Sequence, residues 1–268
     1  MSPLEAIAHQ CKRLRLPGMA ETVPEAVQLA QQQDWSLESF LLYLLEQEVT
    51  ARQQRRIERL LREAHLPPHK TLARFDQARL PLRLRRQLPG LIQGDFIPQA
   101  GNLLIFGRPG TGKTHLAAGL AHEWIQHHYS VWFTPTYKLV DSLLRAKRDY
   151  DLERELKRLD RFQVIILDDI GYVQQSREEM EVLFTFLAER YERRTVVITS
   201  NLVFSQWDQI FKDPLTTAAA IDRVVHHSRI IEFGSDMTSV RAEEAARRQL
   251  QELNQVNSDQ LNLIQNQA

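Results

Sequence analysis

The feature that most constrains this chain is a glycine-rich loop that stands between an apolar run and a helical pattern. Residues 103–106 are four consecutive apolar residues, and residues 107–114 fit the pattern G-x-x-x-x-G-K-[ST] without a gap. Apolar residues then recur at the three- and four-residue spacing of a helix. Glycines allow tight turns that expose backbone N–H groups, and a helix N-terminus attracts anions. The sequence therefore predicts a buried strand, a phosphate-binding loop and a helix in direct succession.

This loop predicts a site for a nucleoside triphosphate and Mg²⁺. Lys113 supplies a positive charge to the β- and γ-phosphates, and the Thr114 hydroxyl suits the shell of a Mg²⁺ ion that keeps most of its waters. The simpler alternative is a glycine-rich turn with a surface lysine, but the flanking strand and helix favour the phosphate site. The nucleotide-binding residues predicted here are Gly107, Arg108, Pro109, Gly110, Thr111, Gly112, Lys113, Thr114 and His115.

Two further predicted buried strands end in polar residues. Residues 164–167 lead into Asp168 and Asp169, and residues 195–199 lead towards Asn201. Parallel buried strands deliver such residues to the edge where a phosphate loop lies. Asp168 is predicted to hold the Mg²⁺ shell and Asp169 to orient or deprotonate the attacking water, although an acidic turn after a strand is common by itself. Asn201 is a candidate contact for the γ-phosphate, or else a turn residue.

Strands and helices alternate from residue 102 onward. The predicted strands are residues 103–106, 131–134, 164–167, 195–199 and 230–233; the predicted helices are 113–128, 136–146, 152–159, 177–193 and 240–253. This alternation favours a mostly parallel, five-stranded α/β sheet with helices on both faces. We expect a helical N-terminal domain over 1–66, a basic connector over 67–100 (with residues 81–98 leading into the sheet), the α/β domain over 101–254 and a polar tail over 255–268. Within the first domain, Pro17-Gly18 ends one helix and a second begins near residue 23.

Positive charge is concentrated just before the sheet. The net charge is zero, but residues 51–100 carry 11 Lys and Arg against 4 Asp and Glu. Several arginines share one face of a predicted helix that starts near Trp35, which is either an ordinary solvated surface or a surface that follows nucleic acid phosphates. No pattern suggests readout of base edges, so DNA binding would depend weakly on sequence. The predicted DNA-binding residues are Arg52, Arg55, Arg56, Arg59, Lys70 and Arg74.

Other classes of protein are disfavoured by composition. No apolar run approaches the ~20 residues of a membrane span, and the N-terminus lacks an export signal, so a cytoplasmic protein is expected. Cys11 is the only cysteine, which excludes an intramolecular disulfide and a cysteine metal cluster. The histidine pairs at 127–128 and 226–227 lack a third ligand at suitable spacing. Arg190, Arg193 and Arg194 close a predicted helix, where cations complement the helix dipole.

The chain resembles the ATPase core of the AAA+ superfamily, in its helicase-loader and initiator branch. More narrowly, it is similar to the IstB family, ATPase helpers of insertion-sequence transposases related to DnaC-type helicase loaders. The stretches that carry the resemblance are GRPGTGKTHLA (107–117), LDDIGY (167–172), ERYERR (189–194), TSNLVFSQWDQIF (199–211), IDRVVHHS (221–228) and DWSLESFLLYLLEQEVTARQQRR (34–56).

That resemblance implies an ATPase that uses ATP and Mg²⁺, forms a nucleotide-dependent oligomer on double-stranded DNA and serves a transposase encoded by the same element. It implies that Asn201 is the sensor-1 residue and that Arg223 is an arginine finger for a neighbouring subunit. Arg241 matches a sensor-2-like position, although the surrounding MTSVR departs from the usual Gly-x-Ser-Tyr-Arg. A DnaC-like helicase loader is the main alternative, and a small-molecule kinase or a passive DNA-binding module is a further one.

Overall fold

The computed structural model describes residues 2–172, 176–202, 206–207, 224–225 and 227–234. These residues fall into two units, and the division lies between Arg62 and Glu63. No helix in these ranges is both long enough and apolar enough to cross a membrane. The domain limits expected at residues 66, 100 and 254 remain predictions.

Three helices make up the described part of the first unit: α1 (Pro3–Arg13), α2 (Pro17–Gln32) and α3 (Leu37–Ala64), whose last two residues belong to the second unit. A capping box starts α1, in which Ser2 and Glu5 exchange hydrogen bonds of 2.7 and 3.2 Å. The sequence predicts a start of α2 near residue 23, whereas the helix begins at Pro17. Proline is tolerated there because the first turn needs no N–H donor.

The second unit alternates helices and strands. Its elements are α4 (Leu82–Gln93), β1 (Asn102–Phe106), α5 (Lys113–Gln126), β2 (Val131–Pro135), α6 (Thr136–Arg148), α7 (Leu152–Asp160), β3 (Val164–Asp168), α8 (Arg177–Arg190), β4 (Thr195–Ser200) and β5 (Ser228–Glu232). All five predicted strands are present within two residues of their expected limits. The helix predicted over residues 240–253 lies outside the described residues.

Helix α4 occupies most of the segment 81–98, for which the sequence predicts a connector. Leu88 and Leu91 are buried, and the indole N–H of Trp124 in α5 donates to the carbonyl oxygen of Leu91 at 2.8 Å. Prolines in the segment suggest a break, but Pro89 is accommodated inside α4 at the loss of one backbone hydrogen bond. The segment is therefore packed structure belonging to the second unit.

Five parallel strands form one sheet in the described part of the chain, in the order β2-β3-β4-β1-β5. β4 lies between β1 and β3, and its Val197 pairs with Leu103 on one side and with Ile166 on the other. All residues of β1 and β4 are buried, as expected for strands covered on both faces. The order places the end of β4 between the glycine-rich loop and the acidic end of β3, at the edge where such sheets bind ligands.

Arg190 ends α8 and is buried, with 2% of its surface exposed. Its guanidinium donates hydrogen bonds of 2.9 to 3.3 Å to the carbonyl oxygens of Leu159, Phe162, Gln163 and Thr195. Burial lowers the pKa of Arg190 to about 9, so the group keeps its charge at neutral pH. Arg190 lies in the last turn of α8, as the sequence predicts, and its buried side chain also joins α7, α8 and the segments that lead into β3 and β4.

Candidate functional site

The glycine-rich loop joins β1 to α5, and close packing requires glycine at two of its positions. Gly107 has a φ of 155°, and a Cβ there would lie 2.7 Å from the Cβ of Phe233. Gly112, just before α5, has a φ of 106°, and a Cβ there would lie 3.1 Å from Phe75. Neither the backbone conformation nor the space suits a side chain. The loop therefore curls over the N-terminus of α5, where backbone N–H groups attract anions.

Lys113 is the first residue of α5 and is only 8% exposed. Its ammonium group donates to the carbonyl oxygens of Gly107 at 2.7 Å and Arg108 at 3.0 Å. Its charge is thus held beside the positive end of the α5 dipole. Thr111 Oγ1 donates to the Arg108 carbonyl oxygen at 2.9 Å, and the side chains of Arg108 and Pro109 are exposed. The loop presents a fixed cation at a helix N-terminus, which is suited to phosphate.

Asp168, the last residue of β3, accepts two hydroxyl hydrogen bonds on one carboxylate oxygen. Thr114 Oγ1 lies 2.9 Å from Asp168 Oδ1, and Thr199 Oγ1 of β4 lies 2.7 Å from the same atom. The two residues that the sequence assigns to the metal are therefore in direct contact. Mg²⁺ takes one or two carboxylates beside hydroxyl groups, phosphates and waters, so this donor set fits the ion. No cluster of three or more His, Cys, Asp and Glu suited to a metal occurs among the described residues.

Thr199 is the member of this cluster that the sequence does not single out. It is 1% exposed, and its hydroxyl also accepts the backbone N–H of Asp169 at 2.8 Å. Asp169 has a φ of 61°, a left-handed conformation that is uncommon for a residue with a side chain. Thr199 therefore holds both Asp168 and the turn that carries Asp169. The only signal in the sequence is a hydroxyl group near the end of an otherwise apolar strand.

Asn201 follows β4 and lies against the turn after Asp169. Its Oδ1 is buried and has no hydrogen-bond partner among the described residues. A Cβ on Gly171 would overlap the same oxygen, so the two segments are in close contact. An unsatisfied buried oxygen costs about 1–3 kcal/mol, which favours a position that a ligand or a water completes. The structure thus brings Asn201 to the same edge of the sheet as Asp168.

His115 contacts residues 71–75, a segment called the strap below. His115 Nε2 lies 2.9 Å from the carbonyl oxygen of Thr71, and the imidazole packs edge-on against Phe75 with ring centroids 5.3 Å apart. Lys70 immediately precedes the strap, and Arg74 lies within it with an exposed side chain. One residue predicted to bind DNA therefore lies in a segment that packs beside the glycine-rich loop, and a second directly precedes it.

The arginine face of α3 begins with two residues that stabilise the first unit. Arg52 and Arg55 form ion pairs of 2.7 and 3.3 Å with Glu48, whose side chain is 5% exposed. Glu48 also accepts the backbone N–H of Met19 at 3.1 Å. Burial acts to raise the pKa of Glu48, but the hydrogen bonds from Arg52 and Met19 outweigh it, and the net shift is downward. Glu48 and Arg52 lie four residues apart, the ordinary spacing of an ion pair along a helix.

The rest of this face is accessible. Arg56, Arg59 and Arg62 are exposed on the following turns of α3. The remaining residues predicted for the site, Arg223 and Arg241, lie outside the described residues.

The chain is similar to known proteins that are named for ATP binding, which agrees with the geometry of the glycine-rich loop. The family model described as IstB-like ATP binding protein matches residues 9–247. A Sinorhizobium fredii protein named as an insertion sequence ATP-binding protein is 40% identical over 236 residues, which cover 88% of this chain and 79% of the relative. A protein of Pseudomonas aeruginosa, named as an ATP-binding protein of insertion sequence IS21, is 36% identical over 81% of this chain and 82% of its own length.

Solved structures share the fold. DnaI superimposes with a TM-score of 0.53 and 21% identity, covering 63% of this chain and 95% of that one. A replication initiator, DnaA bound to AMPPCP and single-stranded DNA, superimposes with a TM-score of 0.54 and 16% identity, covering 71% of this chain and 57% of that one. At these identities the likeness concerns the fold alone, and it confirms the predicted α/β core with a parallel five-stranded sheet.

Proposed function

The chain belongs to the family of IstB-like ATP-binding proteins, and we propose that it hydrolyses ATP, assembles on duplex DNA and stimulates or recruits a transposase. The names of its relatives connect them with ATP binding and with insertion sequences. ATP is the proposed substrate, Mg²⁺ the proposed cofactor, and the transposase of the same element the proposed partner.

The contact between the glycine-rich loop and the acidic strand carries this proposal. In this proposal Lys113 neutralises the β- and γ-phosphates, and the backbone N–H groups at the start of α5 bind their oxygens. Thr114 Oγ1 and Asp168 Oδ1 lie 2.9 Å apart, and these two side chains would hold the Mg²⁺. When bound, this ion neutralises charge on the phosphate oxygens and fixes their orientation. The residues proposed to bind the phosphates and those proposed to hold the metal are thus close together, which supports ATP hydrolysis at this site.

The residues beyond β3 and β4 supply the remaining roles in the proposed reaction. Asp169 orients or deprotonates the attacking water, and the Asn201 amide contacts the γ-phosphate or that water. Arg223 of a neighbouring subunit adds positive charge as the transition state forms, and Arg241 makes a further nucleotide contact. Hydrolysis then depends on assembly, because each site is complete only when a second copy is present.

Replacing Thr199 with valine is expected to lower the ATP turnover rate by about 10- to 100-fold, the usual effect of removing a residue that orients a metal ligand. Valine keeps the shape but removes the hydroxyl that binds Asp168 and accepts the Asp169 N–H. The measurement is steady-state phosphate release with saturating duplex DNA.

Thr195→Val is the matched control, because Thr195 is at the other end of β4. Its hydroxyl is buried and has no hydrogen-bond partner among the described residues. This variant should turn over ATP as the wild type does, and it should be equally or slightly more stable. Equal turnover by the two variants would remove Thr199 from the proposed mechanism.

The DNA surface of the proposal lies on the accessible part of the arginine face. Arg52 and Arg55 form ion pairs with Glu48, so replacing them leaves a buried carboxylate unpaired. A loss of DNA binding in such a variant could then not be separated from a loss of stability. Arg59 and Arg62 are exposed and lie one turn apart, where each can reach a phosphate.

The double variant Arg59→Gln with Arg62→Gln tests this surface. The slope of log K against log salt for duplex DNA should become shallower by about 0.9 for each phosphate that the protein no longer neutralises. Titration of a labelled duplex at several salt concentrations gives the slope. The control replaces two exposed arginines of the second unit, Arg148 and Arg154. If both double variants changed the slope equally, the effect would be one of net charge, and this face would not be the DNA surface.

A further inference from the structure

The strap is held on α5 at three points. The imidazole of His115 contacts both Thr71 and Phe75, and Phe75 also lies against Gly112 of the glycine-rich loop. Leu72, 6% exposed, packs on α5 so closely that a Cβ on Gly119 would lie 2.7 Å from it. The strap therefore follows the first turns of α5 in direct contact.

His115 makes the one polar contact among these three. A backbone carbonyl only accepts hydrogen bonds, so the imidazole carries its proton on Nε2 and donates to Thr71. His115 directly follows Lys113 and Thr114, the proposed contacts of the γ-phosphate and the metal. We expect an adjustment of the first turn of α5 on phosphate binding to reach the strap through this hydrogen bond, beside the apolar contacts of Phe75 and Leu72.

The strap also lies between two functional regions in sequence. It begins seven residues after Ala64, the end of α3 and of its arginine face, and it contains the exposed Arg74. A change in the strap therefore moves Arg74, one of the residues proposed to bind DNA.

We propose that His115 is a positioning residue that latches the strap to the first turn of α5 and thereby couples nucleotide binding to the basic DNA-binding segment. This inference rests on the proposed function, because it needs ATP at the glycine-rich loop and DNA on the arginines. The coupling is reciprocal, so DNA raises nucleotide affinity by the factor by which nucleotide raises DNA affinity.

Hydrogen exchange of the full chain, measured without DNA, tests whether His115 holds the strap to α5 when nucleotide binds. The backbone N–H groups of Arg74 and Phe75 bond within the strap, and the non-hydrolysable analogue AMPPNP at saturation should slow their exchange about tenfold or more. His115→Phe keeps a ring beside Phe75 but loses the donor, and its response should fall below about twofold. His115→Gln keeps a donor and should restore the response. His127→Phe, at the exposed far end of α5, is the control.

The second measurement is the ratio of duplex DNA affinities with and without saturating AMPPNP. Coupling of this kind is typically about 5- to 150-fold, and His115→Phe should bring the ratio below about twofold while His115→Gln restores it. The positioning role of His115 would be overturned if AMPPNP slowed hydrogen exchange of the strap in His115→Phe as much as in the wild type. It would also be overturned if His115→Phe kept the wild-type ratio of DNA affinities. A strap response without any DNA binding would overturn the DNA part of the proposed function and leave the latch standing. Absence of AMPPNP binding by the wild type would overturn both.

Discussion

Replacing Lys113 with alanine is expected to weaken ATP binding about a hundredfold or more. The ammonium group is 8% exposed and fixed at the N-terminus of α5, so its attraction to phosphate is little weakened by water. Hydrogen bonds to charged groups contribute about 1.5–3 kcal/mol, and a hundredfold loss corresponds to about 2.7 kcal/mol. Isothermal titration with ATP and Mg²⁺ measures this directly.

Thermal unfolding provides a second measure of the same variant. Saturating ATP stabilises the wild type by mass action, about 2.7 kcal/mol at one hundred times the Kd, whereas Lys113→Ala should gain little at the same concentration. Lys157→Ala is the control, because Lys157 is an exposed residue of α7 paired with Glu153. If Lys113→Ala bound ATP like this control, the glycine-rich loop would not be the nucleotide site.

Replacing Arg190 with methionine is expected to lower the free energy of unfolding of the second unit by about 4 kcal/mol. Methionine fills much of the same volume but removes the guanidinium's hydrogen bonds to four carbonyl oxygens at the junction of α7, α8, β3 and β4. The carbonyl oxygens of Leu159 and Gln163 keep one backbone N–H donor each. For a domain of this size the melting temperature should fall by about 10 °C. Urea and thermal denaturation measure both quantities.

Arg193 offers a matched control three residues further along the chain. Its side chain is 59% exposed and pairs with Asp160 and Glu189 at the surface, so Arg193→Met should cost less than about 1 kcal/mol. Arg190→Lys separates the effect of the positive charge from that of the hydrogen bonds. Lysine keeps the charge, but its ammonium group lacks the planar guanidinium geometry that reaches several acceptors. If Arg190→Met were as stable as Arg193→Met, the buried hydrogen bonds would contribute little to the fold.

The sequence predicts the strands and the glycine-rich loop because both are encoded locally. Three or four consecutive apolar residues are stable only when buried on both faces, which is the environment of β1, β3 and β4. The apolar pattern of α4 is equally local, but the prolines in and around the helix suggest a connector instead. Leu88 and Leu91 still mark the buried face of α4, since one proline inside a helix removes only one hydrogen bond.

Partners that are distant in sequence are not encoded in this way. Thr199 and Asp168 are 31 residues apart and meet only because β4 lies beside β3. Likewise, Arg190 and Arg193 look alike as cations near the end of a helix. Their difference follows from packing: Arg190 enters the junction of four elements, whereas Arg193 stays at the surface.

By itself the sequence determined the chemical groups of the candidate nucleotide site, the parallel α/β class of the second unit and the helical character of the first. The tertiary structure alone decided the strand order, the role of Thr199, the burial of Arg190 and the contact between His115 and the strap. Apolar periodicity and glycine content are properties of each segment's own residues, and they indicate which part of that segment is buried and which part faces water. Hydrogen bonds between distant segments form only where packing has already removed water from both partners.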